Sequence, residues 1–234
     1  MIDKYLYSNT NVLINKANIK DQEKLENFES AMVDLSLIKL YEDGFIINKT
    51  SNIFDIHEIL FKEVYSWAGK PRELDIYKEE MVINYKSVEY EHYNLINKKI
   101  NELDKLLNSI NWKDFNNLID DLVEFISRLW KIHPFREGNT RTVVTYLYFL
   151  TKQNNISLNV NLIKDNSKYF RNALVMASIG EYSNYSYLRK ILSDAISNKV
   201  TPNDDFKKDD GRYKTINNIK MSKYKFNYHT LKKD

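Results

Sequence analysis

The chain has 234 residues, 35 Lys and Arg against 32 Asp and Glu for a net charge of +3, and 43% apolar residues; this suffices for one domain with a real core, and the charge is too small to imply a nucleic-acid partner. The absence of Cys excludes disulfides, thiolate zinc sites and cysteine nucleophiles, and only 5 Gly and 3 Pro argue against sandwich and barrel folds, whose tight turns need both. No window approaches ~18 consecutive apolar residues and Met1-Ile2-Asp3-Lys4-Tyr5-Leu6-Tyr7 lacks the basic-then-apolar pattern of a secretory signal, so the expectation is a soluble cytoplasmic protein with no membrane contact, export by a route needing no N-terminal signal being left open.

Residues 1–20 read as an extended arm with a short turn at Ser8-Asn9-Thr10-Asn11. From Asp21 to about Tyr41, Leu25, Phe28, Met32, Leu35 and Ile38 recur at helical spacing, and Asp43-Gly44 stops that helix. A second helix is expected over 53–67, stopped by Gly69 and Pro71. Residues 72–85 break the helical rhythm. Leu74 and Ile76 lie before a charged Lys78-Glu79-Glu80 tip, and Met81, Val82 and Ile83 after it, which predicts a small β-hairpin with an irregular loop as the alternative. Helices follow at 87–107, 113–133, 138–154, 162–179 and 184–198. In 113–133, Phe115, Leu118, Leu122, Ile126, Leu129 and His133 share one stripe, which puts His133 at the end of a buried seam. The fold class expected is mostly α. Residues 1–20 form an arm, 21–198 the catalytic domain, and 199–234 a polar, basic extension whose lysines and tyrosines read as a solvated tail or an oligomer contact rather than as a surface for single-stranded nucleic acid.

The segment His133-Pro134-Phe135-Arg136-Glu137-Gly138-Asn139-Thr140-Arg141 carries the chemistry. Pro134 keeps the residue before it out of α geometry, so the helix ends at His133 and the imidazole faces a turn, as a general base requires. Glu137 is either an exposed acid complementing the next helix dipole or a Mg²⁺ ligand, since magnesium needs only one or two carboxylates beside phosphates and water. Gly138-Asn139-Thr140 opens a helix, whose outward N–H groups make an anion site. Asn139 is a helix cap or a phosphate donor, and Arg141 a surface ion pair or a phosphate clamp.

This segment resembles the signature of the Fic family, His-Pro-Phe-x-(Asp/Glu)-Gly-Asn-(Gly/Lys)-Arg-x-x-Arg, through His133, Pro134, Phe135, Glu137, Gly138, Asn139 and Arg141. A second block, Trp67-Ala68-Gly69, Arg72, Ile76 and Lys78, is similar to another stretch of the family, and Tyr5-Leu6-Tyr7 with Thr10-Asn11-Val12-Leu13 looks like the arm of stand-alone bacterial members. The resemblance implies a helical bundle with a β-hairpin flap that transfers AMP from ATP to a hydroxyl of a target protein. On matching positions it implies that His133 is the base and Glu137 holds Mg²⁺. It assigns Gly138, Asn139, Thr140 and Arg141 to the nucleotide phosphates, and Arg136 and Lys78 are candidate further cations for them. Lys78, Met81, Val82 and Ile83 on the flap would dock the target.

Two positions depart from the pattern. Thr140 replaces Gly or Lys, and Val144 stands where the family has its second arginine. The resemblance makes that arginine the grip on the terminal phosphate, so Arg136 is the nearest substitute, and a donor other than ATP or a catalytically weak binding scaffold are the alternatives. The family's inhibitory motif, Ser/Thr-x-x-x-Glu-Gly/Asn, is poorly matched at Ser30–Leu35, and Ser87–His92 misses only its last position but lies just after the expected flap, so both are read as coincidental. This implies restraint by a separate small antitoxin protein, as for the toxin of a toxin–antitoxin pair.

Overall fold

The computed structural model describes residues 3–196. Two helices form the centre: α5 (Phe115–Ile132) and α6 (Asn139–Gln153). Leu118, Leu122, Phe125, Ile126, Leu129 and Trp130 of the first, and Val143, Tyr146 and Leu147 of the second, are wholly buried. Each such aliphatic or aromatic side chain contributes roughly 1.5–3 kcal/mol, so this seam anchors the domain and fixes the turn between its two helices. Around it pack α1 (Gln22–Asp43), α2 (Asn52–Phe61), α3 (Ile96–Glu102), α4 (Asp104–Ser109), α7 (Val160–Asp165), α8 (Ser167–Met176) and α9 (Ser186–Ile196). α2 lies on both α1 and α6, and α9 lies on α5 and α8.

Helix α1 starts where Asp21 accepts the Lys24 N–H at 2.9 Å and ends at Gly44, φ +76°. Its buried face is Leu25, Glu29, Val33 and Leu40, while Leu35 and Ile38, expected in the core, are exposed. The stripe turns because Glu29 is drawn inward by two polar partners described below. Helix α2 ends at Phe61 rather than at residue 67. The chain there bends back on itself, with the N–H groups of Val64 and Tyr65 both donating to the Phe61 carbonyl at 2.9 Å and the arm pairing through Lys16 N–H to the Val64 carbonyl at 2.8 Å.

The single helix expected over 87–107 is divided. Residues up to His92 are not helical, because the Glu91 carbonyl is held by Arg72 and the Tyr93 N–H by Asp75 at 2.9 Å. Likewise the helix expected over 162–179 breaks at Asn166 (φ −113°, ψ 32°) between α7 and α8. The tail beyond 198 lies outside the described residues. No described helix is long and apolar enough to cross a membrane.

The flap differs from a regular hairpin. Among the described residues there are no β-strands. A single antiparallel bridge, Glu80 with Lys86, closes the flap, and the Glu80 N–H donates to the Lys86 carbonyl at 2.9 Å. The reversal comes after Lys78-Glu79-Glu80. It is a 3-10 turn over Met81–Ile83 followed by Asn84 and Tyr85 at φ +57° and +60°. Asn tolerates that left-handed geometry, and the later turn lets Val82 and Ile83 bury their side chains as the turn packs on α8.

Candidate active site

The turn between α5 and α6 is clamped from within. Asn139 accepts the Phe135 N–H at 2.9 Å and donates to the Phe135 carbonyl at 2.8 Å. Of the two roles expected for it, helix cap or phosphate donor, the turn engages Oδ1 and one N–H of Nδ2 and leaves the second N–H of that amide. His57 of α2 clamps the turn from outside. Its Nε2 lies 3.1 Å from the Glu137 carbonyl, and its Nδ1 accepts the Gly69 N–H at 2.9 Å. A backbone N–H can only donate, so Nδ1 is the acceptor and Nε2–H the donor. The ring stacks at 3.7 Å on Phe135. Burial lowers its pKa from 6.5 to about 3, so it is neutral.

Gly138 adopts φ +82°, and a Cβ there would stand 2.4 Å from Cζ of Phe61. Only glycine fits, and this conformation aims the start of α6 at the cavity. The N-cap residue, Gly138, has no side chain with which to cap the helix, and the N–H groups of the first turn after it have no intrahelical acceptor. The cavity, of about 390 Å³, is lined by His133, Lys78 and residues 137–141, and on its other wall by Ser167, Lys168 and Arg171 of α8.

His133 is 1% exposed and sits at φ +50°, a conformation uncommon for a side-chain-bearing residue. Buried Arg72 holds this strained corner: its Nε donates to the His133 carbonyl at 2.9 Å and its N–H to the Pro134 carbonyl at 2.7 Å. Tyr90 covers the imidazole at 4.0 Å and Trp130 meets it edge-on at 5.0 Å. Nδ1 lies 3.2 Å from the Trp130 carbonyl. A carbonyl only accepts, so Nδ1 carries the proton and Nε2 carries the lone pair. Nε2 is buried without a hydrogen-bond partner among the described residues. Burial first, then Lys78 and Arg171, hold the imidazole well below its ordinary pKa. The arrangement can take a proton from a hydroxyl entering the cavity.

Glu137 is partly open to the cavity. Its Oε1 accepts the Gly138 N–H at 3.0 Å and its Oε2 pairs with Lys78 at 3.0 Å. Burial alone would push the carboxyl up; the Lys78 charge, the Gly138 N–H and Arg141 outweigh it and bring the pKa down to about 2. This ionised group already holds a cation. Among the described residues no cluster of three or more His, Asp or Glu could form a resident metal site.

Arg141 lies over the Phe61 ring at 4.9 Å and is ion-paired to Glu29, whose other oxygen accepts the Tyr65 hydroxyl. Thr140 accepts the Trp130 indole N–H at 3.0 Å. Arg136 does not reach the cavity. It turns away to Asp3 of the arm, with Nε donating at 2.9 Å and Nη2 at 2.8 Å, and is not among the residues that line the cavity. Val144 is half-buried against the core and does not line the cavity. Val82 and Ile83 are buried, 7% and 0% exposed, and so cannot meet a target; Met81 at 65%, with Tyr77 and Tyr85, forms the open face of the flap.

Four residues around the site lie outside the sequence motifs: His57, Glu29, Arg171 and Lys168. His57 had a signal, since it shares the buried face of α2 with Ile53, Ile56 and Leu60. Glu29 was visible as an acid in register with Leu25 and Val33. Arg171 and Lys168 gave none, because nothing local places α8 against the cavity.

Residues 48–151 match the model of the Fic/DOC family. The chain carries a Fic/DOC domain. Over 179 residues it is 29% identical to a probable protein adenylyltransferase y4lH of Sinorhizobium fredii, covering 76% of this chain and 90% of the relative. It is 30% identical to the protein adenylyltransferase VbhT of Bartonella schoenbuchensis over 81% of this chain, which spans only 38% of VbhT. Among solved structures, the type IV secretion system effector BepA superposes with a TM-score of 0.69 at 25% identity, over 83% of this chain and 68% of that one. BepC of Bartonella tribocorum, solved with bound AMPPNP, has the same fold, with a TM-score of 0.69 at 21% identity over 82% and 95% of the two chains. The Fic/DOC match spans the flap, the base-bearing turn and α6 as far as Thr151.

Proposed function

We propose that this chain is a protein AMP-transferase that moves AMP from ATP to a hydroxyl side chain of a target protein. The observation that carries the reading is the lone pair of His133 Nε2, unpartnered among the described residues beside a glycine-initiated helix start in a cation-lined cavity. Nε2 takes the proton of the target hydroxyl. The freed oxygen forms a bond to the α-phosphorus, the bond from that phosphorus to the β-bridging oxygen breaks, and pyrophosphate leaves. Such transfer depends on in-line positioning and charge neutralisation, and no covalent intermediate on the enzyme is needed. The start of α6, Arg141 and Lys78 supply that positive potential, and Thr140 presents its N–H.

Glu137 fits a magnesium ion that arrives with the donor. It is ionised, one of its oxygens already binds an ammonium group, and one carboxylate with phosphates and water meets the ion's needs. An ion held there would supply charge neutralisation at the phosphates, and Lys78, which shares the Glu137 carboxylate and lines the cavity, offers a second positive charge to them. The target enters along the open face of the flap, Tyr77, Met81 and Tyr85. The same proposal includes a cytoplasmic location and a small antitoxin protein in trans, with the domain running from 21 to 198 between the arm and the basic extension.

A nucleotide screen tests the reading. Wild type and His133→Ala are incubated with each labelled triphosphate and Mg²⁺, and mass shifts are read on the protein and on lysate proteins. An ATP-dependent adduct that disappears in the variant supports it; labelling from another donor alone assigns a different donor. Co-expression with small neighbouring reading frames tests the antitoxin, and unchanged activity with all of them removes it.

A further inference from the structure

Two arginines line the cavity in the same way. Arg141, on α6, is pinned from behind by Glu29, whose side chain is 11% exposed, and lies on the face of Phe61. Arg171, on α8, is pinned from behind by Glu80, whose side chain is 6% exposed, at 2.5 Å, and lies 6.0 Å over the ring of Trp130. A guanidinium has five N–H donors in a rigid fork. Glu80 engages Nη2 of Arg171, and the group remains 36% exposed on the cavity side. Lys168, one turn nearer the start of α8, adds a second cation to the same wall. A buried carboxylate behind and an aromatic face beneath hold the fork in place before a ligand arrives, which lowers the entropy lost on binding. A polyanion long enough to span the cavity meets fixed positive charge from both walls.

We propose that Arg171 is a donor-binding residue that grips the non-transferred phosphates from the α8 wall, as Arg141 grips the phosphate chain from the α6 wall. The inference rests on the triphosphate-donor reading and deepens it. The preferred donor carries two or more phosphates beyond the transferred one, and Glu80 holds the Arg171 fork aligned both with and without it. Because Glu80 sits on the flap, the same ion pair fixes the flap against the donor side of the cavity.

The test measures equilibrium binding of three probes: an ATP analogue with an uncleavable α,β-bridge, inorganic tripolyphosphate, and AMP. Wild type is compared with Arg171→Gln and with Glu80→Gln/Arg171→Gln. The double variant leaves no buried carboxylate without its partner and guards against a folding defect in the single one, and thermal unfolding confirms that each is folded. The expected result is a roughly 10- to 100-fold weaker affinity for the ATP analogue and tripolyphosphate, the worth of one charge-assisted contact, with AMP affinity within about twofold of wild type. Unchanged affinity for all three probes, or an equal loss for AMP, overturns the inference while the donor reading stands if wild type binds the analogue. A wild type that binds neither triphosphate nor tripolyphosphate overturns both.

Discussion

The imidazole of His57 donates to the carbonyl of Glu137 at 3.1 Å, eighty residues further along the chain. This bond fixes the backbone from which the candidate metal-binding carboxylate projects, while Nδ1 on the other side of the ring accepts the Gly69 N–H, a bond that protonation of the ring would break. The site therefore depends on a buried histidine staying neutral.

That dependence predicts acid lability. The folded pKa of His57 is about 3, against 6.5 ordinarily. Below pH 6.5 the unfolded chain binds a proton that the folded chain refuses. The stability from neutral burial is thus complete above 6.5 and is lost as pH falls toward 3, at about 1.4 kcal/mol per unit. By pH 5 the loss from this residue is roughly 2 kcal/mol, and His133 adds to it in the same direction. Urea unfolding at pH 7, 6 and 5 reads this directly. His57→Phe keeps the stacking, is less stable at pH 7 by about 1–3 kcal/mol for each orphaned partner, and loses less on acidification than wild type. An equal acid loss in the variant contradicts the assignment.

Gly138→Ala combines two penalties. Its φ of +82° disfavours any side chain, and the new Cβ meets Phe61 at 2.4 Å. Together these destabilise by about 2–4 kcal/mol. Phe61→Leu in the same chain relieves the steric part, and the conformational part remains. Urea midpoints of the single and double variants separate the two, and a Gly138→Ala protein as stable as wild type contradicts the geometry.

Arg136→Ala tests whether the Asp3 pairing or the nucleotide claims this side chain. With its guanidinium bound to Asp3, its loss is expected to leave nucleotide affinity within about twofold and to lower stability by about 1 kcal/mol. Asp3→Asn should produce the same stability change. A large loss of nucleotide binding in Arg136→Ala places that side chain in the cavity instead.

The motif from His133 to Arg141 was legible because its logic is local: a proline that ends one helix, a glycine that takes φ +82° and starts the next. The central helices were legible because their apolar spacing reflects burial on one continuous seam. What the sequence concealed depends on distant partners. Arg136 faces Asp3 across 133 positions and Arg141 faces Glu29 across 112, and no local pattern announces either. Asn139 reads from its position as a helix cap or a phosphate donor, and its double bond to Phe135, one hydrogen bond accepted and one donated, forms only with the folded turn. Val82 and Ile83 followed a hairpin register, yet packing against α8 turned them inward.

A neutral His133 also predicts the shape of the pH profile. Since burial and the nearby cations keep its pKa well below 6.5, kcat/KM should show no fall from protonation of the base between about pH 8 and 6.5. A limb centred near 6.5 that vanishes on mutation of His133 contradicts this.

The most direct test of the account is single-turnover AMP transfer by wild type and His133→Ala, each shown to be folded, with Mg²⁺ and ATP. A positioned general base contributes about 10²–10⁴-fold, so the variant is predicted to slow by that factor with its donor affinity preserved. A variant that transfers AMP as fast as wild type would contradict the assignment of the unpartnered Nε2 as the base.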